Sequence, residues 1–193
     1  MAYLKQTTAP SYEPLTSAEV KLHLKVSVST DDVLIANLIV SARQFVEEYT
    51  GLQLMKAAHT LYLDSFNTEM FLNVAPIQSL TSVKYYDTDN ALQTLSSSYY
   101  DSDLVSQPAR VQQAYSYTLP STYDRYNAVQ ILFATGYSTS DTESVQQDAV
   151  PDIIKEAMLL VIGHNYENRG DEGHRTYPRA IYDLLDKVRL FWL

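Results

Sequence analysis

Two residues have a spacing that suits acid–base or metal chemistry, namely His164 and Glu167. Positions three apart share one face of a helix, so this imidazole and carboxylate would bind a metal ion or exchange a proton together. An inverzincin motif needs a second histidine directly after the glutamate, where this chain has Asn168. A di-iron site needs a Glu-x-x-His pair on another helix, and the sequence offers none. We therefore interpret His164, Asn165, Glu167 and Arg169 as a polar cluster that pairs locally.

A second group with possible chemistry is acidic. Its members are Asp101 and Asp103 in a strand-like segment, with Asp64 and Asp124 elsewhere. Such carboxylates occur in glycosidases and in calcium sites, but neither EF-hand spacing nor a glycine-rich loop accompanies them. Solvated acidic loops are the simpler interpretation. The other histidines, His23, His59 and His174, lie in three unrelated contexts.

Motifs for covalent or cofactor chemistry are missing from the sequence. It contains no G-x-S-x-G elbow, no Walker motif and no dinucleotide fingerprint. It has only five glycines and no cysteine, which excludes thiol catalysis and Cys-type metal sites. We therefore predict no catalytic residue, no metal and no cofactor. A small hydrolase that uses clustered aspartates remains an alternative, which a pocket with two carboxylates of opposed pKa would favour.

The charge balance limits the classes of partner. The net charge is −9, from 23 acidic and 14 basic residues, and the basic residues form no stripe. An acidic chain gains nothing from counterion release on nucleic acid, which argues against direct, tight DNA or RNA binding. The same charge suits a wall past which DNA slides without sticking. No apolar run approaches the ~20 residues of a membrane span, and the first ten residues lack a signal-peptide core.

The front of the chain is predicted to be helical after an extended arm at residues 1–15. Thr16 and Glu19 form a capping box for a short helix that ends near Leu24. Residues 29–32 supply caps and negative charge for a second helix, which Gly51 ends in a left-handed conformation. Its apolar residues recur at helical spacing: Ile35, Leu38, Ile39, Ala42, Phe45, Val46 and Tyr49.

The middle of the chain, residues 57–137, changes to a period of two. Val129, Ile131 and Phe133 alternate with less apolar neighbours, and Asp87–Asn90 predicts a hairpin turn. Residues 138–149 are predicted to be a polar linker. The fold class is therefore α+β: a small helical bundle from residues 16–56 and 150–193, with an inserted antiparallel β region.

The rear of the chain is unusually apolar. Pro151 suits the first turn of a third helix, and the run at 157–162 is apolar on all sides. Such a helix is buried either in a large core or against neighbouring subunits. Because the sequence predicts only three other helices to cover it, a subunit interface is a candidate. A last helix carries a stripe of Ile181, Leu184, Leu185 and Val188, and Leu190-Phe191-Trp192-Leu193 follows it. Four large apolar residues would be unfavourable in solvent, so this segment is expected to dock.

Tyrosine is frequent, at 16 of 193 residues. Tyrosine is enriched at protein interfaces, where it supplies contact area with a polar tip. It is also favoured on half-exposed strands. The sequence leaves both interpretations open.

The order of several segments resembles one family. The segments are Ser17–Val26, Asp31–Ile35 and Ala42–Gly51 at the front; Pro76–Asp87, Arg125–Val129 and Phe133–Tyr137 in the middle; and Val150–Ile153 with His164–Arg169 at the rear. Together they are similar to tailed-phage head–tail connector adaptors, the gp6-like head-completion proteins, in their longer form with a β insertion. Tyr126 stands where many relatives have proline, and Asn165 stands where an aromatic is usual. Residues 1–15 lie outside the resemblance.

The resemblance implies a virion protein without catalytic activity. It implies a ring, typically of twelve copies, that binds the portal in the virion neck after assembly in the host cytoplasm. Such a ring extends the DNA channel, whose double-stranded DNA passes without specific binding, and it gives the stopper or tail a platform. No membrane is involved. A stopper or tail terminator is the alternative, but the helical first fifty residues argue against those mostly-β proteins.

The third helix and the C-terminal segment are the predicted contact regions with the ring and portal. The residues are Met158, Val161, Ile162, Tyr166, Leu184, Leu185, Val188, Phe191, Trp192 and Leu193. The Asp87–Asn90 hairpin and the Tyr99–Tyr100 region are predicted to face outward or toward the next neck protein.

Overall fold

Helices and antiparallel strands alternate in blocks along the chain, which confirms the α+β class. A computed structural model describes residues 2–169 and 176–190. Its helices are α1 (Ser17–Leu24), α2 (Asp32–Thr50), α3 (Glu143–Ala149), α4 (Asp152–Glu167) and α5 (Arg179–Leu185). Its strands are β1 (Ala2–Thr8), β2 (Ala57–Leu63), β3 (Glu69–Leu72), β4 (Ile77–Tyr86), β5 (Leu92–Thr94), β6 (Tyr100–Asp103), β7 (Ala109–Gln113) and β8 (Val129–Thr135).

The described residues form two compact units. The β unit contains Lys56–Thr139 and the first segment of the chain, up to Pro10. The helical unit contains Ser11–Met55 and the described residues from Ser140 onward.

The β unit consists of two antiparallel sheets. One has the order β1-β2-β8-β4-β5, and the other has the order β3-β7-β6. The predicted alternation in β8 is confirmed, because Val129, Ile131 and Phe133 are buried between half-exposed neighbours. These three residues pack in one apolar core with residues from both sheets, among them Leu61, Met70, Leu72, Val83 and Val111.

The predicted hairpin between β4 and β5 is present. The Asp87 carboxylate accepts hydrogen bonds from the backbone N–H groups of Asp89 and Ala91, both at 3.0 Å. Asn90 adopts a left-handed φ of 60°, which asparagine tolerates better than most residues. The turn is therefore stabilised by Asp87 and Asn90, two of the residues from which it was predicted.

The first strand is the main addition to the predicted β region. The arm expected at residues 1–15 contains β1, which pairs antiparallel with β2 so that Ala2 lies opposite Leu63. Six of its seven side chains are exposed, and only Leu4 packs against the core. Because β1 is held mainly by backbone hydrogen bonds, it shows no alternation of apolar and polar residues, and this explains why no strand was predicted there.

The two front helices match their predicted ends. The capping box is complete: the Thr16 N–H donates to the Glu19 carboxylate at 2.7 Å, and the Glu19 N–H donates to the Thr16 hydroxyl at 3.2 Å. Gly51 ends α2 with a left-handed φ of 75°. The buried face of α2 follows the predicted stripe and contains Ile35, Ile39, Ala42 and Val46.

The rear helices are packed inside the helical unit. The buried residues of α4 are Ile154, Ala157, Met158, Val161 and Ile162, and those of α5 are Ile181 and Leu185. A difference from the prediction is α3, which lies in the expected linker at 138–149. Only Gln146 of α3 is buried, and its side chain donates to the Ser140 carbonyl at 2.8 Å. The helix α3 was not predicted because it has no stripe of apolar residues at helical spacing and is held by polar hydrogen bonds.

Candidate assembly interface

The candidate acid–base pair is not arranged for chemistry. The His164 ring packs edge-on against the Tyr177 ring, with centroids 5.4 Å apart, while Glu167 is exposed. The neighbouring Asn165 amide donates to the Tyr177 hydroxyl at 3.1 Å. His164 and Asn165 therefore help to hold the segment before α5 against α4, so this polar cluster makes contacts with distant residues as well as local ones.

The acidic candidates serve turns and loops. Asp103 accepts from the hydroxyl and N–H of Ser106, and these bonds lower the pKa of its carboxyl. Asp64 accepts from the N–H of Asn127 at 3.0 Å, and Asp124 is exposed. Asp101 lines an open depression of about 450 Å³ on the three-stranded sheet. Among the described residues, no group of three His, Asp or Glu side chains is placed to hold a metal ion.

The three isolated histidines share no site. His23 is exposed on α1, and His174 lies outside the described residues. His59 is buried in β2, where its ring stacks on Phe133 with centroids 5.9 Å apart. Its Nδ1 lies 3.1 Å from the Thr135 hydroxyl oxygen. Burial lowers the pKa of His59 to about 4, so the imidazole is neutral at neutral pH.

A buried ion-pair network stabilises the helical unit around Arg43. Its guanidinium donates to Glu13 and to Glu47, each with a shortest N···O distance of 2.7 Å. Arg43 is only 8% exposed. Glu47 also accepts from the Gln53 amide at 2.6 Å and the Leu54 N–H at 3.0 Å. Burial raises the pKa of Glu47, and the Leu54 N–H and Arg43 oppose this rise.

A second polar cluster joins the start of α2 to the end of α4. The Tyr166 hydroxyl donates to the Asp31 carboxylate, and Arg169 donates to the same oxygen at 3.0 Å. The Arg169 guanidinium also lies over the Tyr166 ring at 4.2 Å. These two donors lower the pKa of Asp31. Residues 29–32 were predicted to supply caps for α2, but the side chain of Asp31, its N-cap residue, makes no cap hydrogen bond and serves this contact between helices instead.

An aromatic cluster holds α5 against α2. Phe45 lies 4.6 Å from Tyr177 and 6.3 Å from Tyr182, measured between ring centroids. Tyr49 lies 5.4 Å from Tyr182, and its hydroxyl donates to the Asp186 carboxylate at 2.6 Å. Aromatic pairs at these separations contribute about 0.5–1.5 kcal/mol beyond their buried area. The position of α5 is therefore well determined by its contacts inside the unit.

The residues predicted for ring and portal contacts fall into three groups. Met158, Val161, Ile162 and Leu185 are fully buried by the chain itself, at 0% exposure. Their apolar character is thus explained by the unit's own core, without a partner subunit. Tyr166, Leu184 and Val188 are half-buried and reach the surface. Phe191, Trp192 and Leu193 lie outside the described residues.

The Tyr99–Tyr100 region of the β unit, predicted to face outward, is only partly exposed. Tyr99 is half-buried and packs on Tyr117, with ring centroids 4.9 Å apart, and Tyr100 is also half-buried. The most exposed tyrosines of the described residues are Tyr115 and Tyr126, on the long connection between β7 and β8. Tyr100, half-buried at the start of β6, fits the interpretation as a strand tyrosine, and the interface interpretation of Tyr115 and Tyr126 stays a prediction.

An exposed apolar group in the helical unit was not predicted. Leu22 at the end of α1 is 82% exposed, Val33 at the start of α2 is 76% exposed, and Val28 between them is 55% exposed. We call these three residues the apolar corner. The sequence could have indicated this exposure, because Leu22 and Val33 do not lie on the buried faces of their helices.

Comparisons with known proteins identify the family of this chain and proteins with a similar fold. A family model described as phage gp6-like head–tail connector protein matches residues 16–128, which is more than half of the chain. The chain belongs to this head–tail connector family. Comparison with curated proteins gave no match. The family match includes α1, α2 and most of the β unit, and it confirms the resemblance drawn from the ordered segments.

Solved structures extend the likeness of this connector to its rear helices. A chain in the neck of an empty GTA particle, computed with C6 symmetry, has a TM-score of 0.77 at 21% identity, covering 99% of this chain and 97% of that one. A chain in the neck of a native GTA particle, computed with C12 symmetry, has a TM-score of 0.75 at 21% identity, with coverage of 99% and 97%. A chain in the virion of the native gene transfer agent has a TM-score of 0.75 at 21% identity, with coverage of 98% and 96%. The connector shares their fold over almost its whole length. In the part of the connector that the structure describes, no helix is long and apolar enough to cross a bilayer.

Proposed function

We propose that this connector protein is a structural adaptor of a tailed-phage neck. In this role its copies form a ring, of twelve by preference, that binds under the portal and extends the DNA channel. The observation that carries the proposal is the family match over residues 16–128. The full-length likeness to neck chains of particles computed with C6 and C12 symmetry supports the ring.

The side chains of the described residues support a structural role over catalysis. Among the candidate residues, Asp103 and Asp64 are engaged in loops, and His164 contacts the segment before α5. An adaptor has to keep its shape while it transmits the contact between portal and tail. Networks such as the one around Arg43 specify a unique packing when every member has its partner.

The contacts with the ring and portal are assigned to the rear of the chain. Tyr166, Leu184 and Val188 are the predicted residues that reach the surface, and residues 191–193 follow them in sequence. The Asp87–Asn90 hairpin and the Tyr99–Tyr100 region are assigned to the stopper or tail. The complex assembles in the host cytoplasm and resides in the virion neck, with no cofactor and no membrane.

The acidic charge is assigned to the DNA channel. With a net charge of −9, a ring of these chains repels the phosphate backbone and lets DNA pass without specific binding. The channel wall of the assembled ring is expected to present more Asp and Glu than Lys and Arg. A basic channel wall would contradict this part of the proposal.

The proposal is tested by portal binding of truncated and substituted chains. Deletion of residues 184–193 is expected to abolish portal docking, but it also removes the buried Leu185. Leu184→Asp and Val188→Asp are better suited because both side chains reach the surface, and Lys187→Ala in the same segment is the matched control. Normal docking by the deletion and by both aspartate variants would refute the assignment. Binding to an isolated tail but not to the portal would favour a stopper or tail terminator.

A further inference from the structure

The two sheets of the β unit share one apolar core, so each sheet has an inner and an outer face. Leu61 and Ile131 of the five-stranded sheet lie in this core together with Met70 and Val111 of the three-stranded sheet. Successive side chains of a strand point to opposite faces of a sheet. The residues that alternate with these core residues therefore lie on two outer faces, on opposite sides of the sandwich.

The outer face of the five-stranded sheet carries positive charge. One row of directly opposed residues crosses all five strands, and its members are Tyr3, Tyr62, Gln130, Lys84 and Thr94. Lys5 lies on the same face, two positions after Tyr3 in β1. The five strands contain two lysines, Lys5 and Lys84, but no arginine, aspartate or glutamate.

A guanidinium adds a third positive charge to this surface. Tyr86 lies on the same face as Lys84, two positions further along β4. The Arg125 guanidinium lies over the Tyr86 ring at 3.9 Å, and it donates to the Asn90 side-chain oxygen at 3.0 Å. The Asp87 carboxylate accepts from N–H groups of the turn that follows β4. The other carboxylates next to these strands lie in the connections: Asp64, Asp89 and Asp124. We call the surface around Lys5, Lys84 and Arg125 the basic face.

The outer face of the three-stranded sheet carries the opposite charge. Two rows of directly opposed residues cross its strands, Glu69–Gln112–Asp101 and Phe71–Arg110–Asp103. Arg110 pairs with Glu69 at 3.3 Å and with Asp103 at 3.5 Å. Three carboxylates therefore share one guanidinium, which leaves a surplus of negative charge beside the exposed Phe71 ring. We call this surface the acidic face.

We propose that the basic face of one copy docks on the acidic face of the next copy in the ring. This inference rests on the proposed ring, and it adds a contact between β units to the contacts assigned to the rear of the chain. A contact between two different surfaces of identical chains is heterologous, and it closes into a ring when the rotation between neighbours divides the circle. Faces on opposite sides of one sandwich suit this geometry, because a ring of many copies needs only a small rotation between neighbours.

Charge complementarity favours a second copy as the occupant of each face. The core lies between the two faces, so they cannot meet within one chain. Every copy brings one basic and one acidic face, so the two are equal in number in any ring. Opposite charges fix the register of the contact, and like charges disfavour other orientations. Aromatic rings supply contact area on both faces, Tyr3 and Tyr62 on one and Phe71 on the other.

Charge reversal on each face tests the contact. The basic-face variant carries Lys5→Glu and Lys84→Glu, and the acidic-face variant carries Glu69→Lys and Asp101→Lys. Each variant alone brings like charges together at every contact between neighbours. Ring formation on purified portal is therefore expected to fall at least about tenfold for each variant, while far-ultraviolet circular dichroism stays unchanged.

An equal mixture of the two variants is the sharpest measurement. In a ring that alternates between them, every contact again joins opposite charges. The mixture is expected to assemble like the unmodified protein, and native mass spectrometry is expected to show equal numbers of the two chains. A chain with all four substitutions is expected to form rings alone but not to enter rings of the unmodified chain. Lys25→Glu and Asp89→Lys are the matched controls, because both side chains are exposed and lie outside the two faces.

Cysteine cross-linking provides a second readout without charge reversal, because the chain contains no native cysteine. Tyr3→Cys and Gln112→Cys are made in separate chains, mixed, assembled on purified portal and oxidised. The expected product is a covalent dimer that contains one chain of each variant, and a chain with both substitutions is expected to give a ladder of oligomers. Thr88→Cys in place of Tyr3→Cys is the control, since Thr88 is exposed in the turn between β4 and β5.

Three outcomes would overturn the inference. Normal rings from both charge-reversed variants, without cross-links between Tyr3→Cys and Gln112→Cys, would refute the contact and leave the adaptor function standing. Loss of assembly by both variants without recovery in their mixture, again without cross-links, would assign the faces to the portal or another neck protein. No ring on the portal with the unmodified protein would refute the adaptor function and the inference with it.

Discussion

The backbone N–H of Leu190 donates a hydrogen bond to the carbonyl oxygen of Thr50, with an N···O distance of 2.8 Å. The last carbonyls of a helix have no partner within the helix, so this bond satisfies one of them at the end of α2. It also holds the last described residue of the chain against the end of α2.

Acid is expected to destabilise the protein through His59. Its pKa is about 4 in the folded chain and 6.5 in the unfolded one, so the unfolded state binds more protons between these values. The free energy of unfolding therefore falls as the pH drops from about 6.5 to 4, by at most about 3 kcal/mol from this residue. The free energy of unfolding of the wild type and of His59→Gln is measured by urea denaturation between pH 6.5 and pH 4. Equal pH dependence in the two proteins would contradict the prediction.

Removal of Arg43 is expected to be strongly destabilising. Arg43→Met leaves the Glu13 and Glu47 carboxylates without their cation in a largely buried site, at a cost of about 3–5 kcal/mol. Chemical denaturation gives the value. Arg110→Met is the matched control, because Arg110 bridges Glu69 at 3.3 Å on the surface and should cost less than about 1 kcal/mol. Similar losses for the two variants would argue against a structural role of the network.

The contact between α2 and α4 at Asp31 is expected to contribute modestly. Tyr166→Phe removes the hydroxyl that donates to Asp31 but keeps the ring under Arg169. We expect a small loss in the free energy of unfolding, because this hydrogen bond has a charged acceptor but lies in contact with solvent. Thermal unfolding of the variant beside Asp31→Asn measures it. Additive losses in the double variant would show that the two residues are not coupled.

Core and surface residues of the rear helices are expected to behave differently. Met158→Ala removes a side chain that is 0% exposed, so it should destabilise the fold by about 2–5 kcal/mol. Leu184→Ala removes a half-buried side chain and should cost about 1 kcal/mol or less in stability while weakening portal binding. Parallel measurements of unfolding and portal affinity separate the two effects. A stable Met158→Ala protein with lost portal binding would show that Met158 is a contact residue after all.

Local signals in the sequence predicted much of the fold. Thr16 and Glu19 predicted the start of α1, Gly51 the end of α2, and Asp87 the hairpin, because each acts through bonds within a few residues. The strand β1 and the helix α3 were not predicted. Both have mostly polar or exposed side chains, and they are held by backbone or amide hydrogen bonds that leave no apolar periodicity.

Contacts between segments that are distant in the chain were also not predicted from the sequence. Residues 29–32 were predicted to supply caps for α2, but the Asp31 carboxylate instead accepts hydrogen bonds from Tyr166 and Arg169, more than 130 positions away. For the apolar run of α4 the sequence left burial in a core and burial at a subunit interface both open, and the structure shows that α1, α2 and α5 pack against α4 and bury Ala157, Met158, Val161 and Ile162 inside the chain. Which apolar residues remain exposed depends on how helices pack, so Leu22 and Val33 became visible only in the structure.

The most direct test of the adaptor function is the assembly state with and without its template. Native mass spectrometry and cryo-electron microscopy of the purified protein, alone and with purified portal, give the copy number and the face that docks. We predict a closed ring on the portal, of twelve copies by preference. A protein that stays monomeric and leaves the portal unoccupied would contradict the adaptor function.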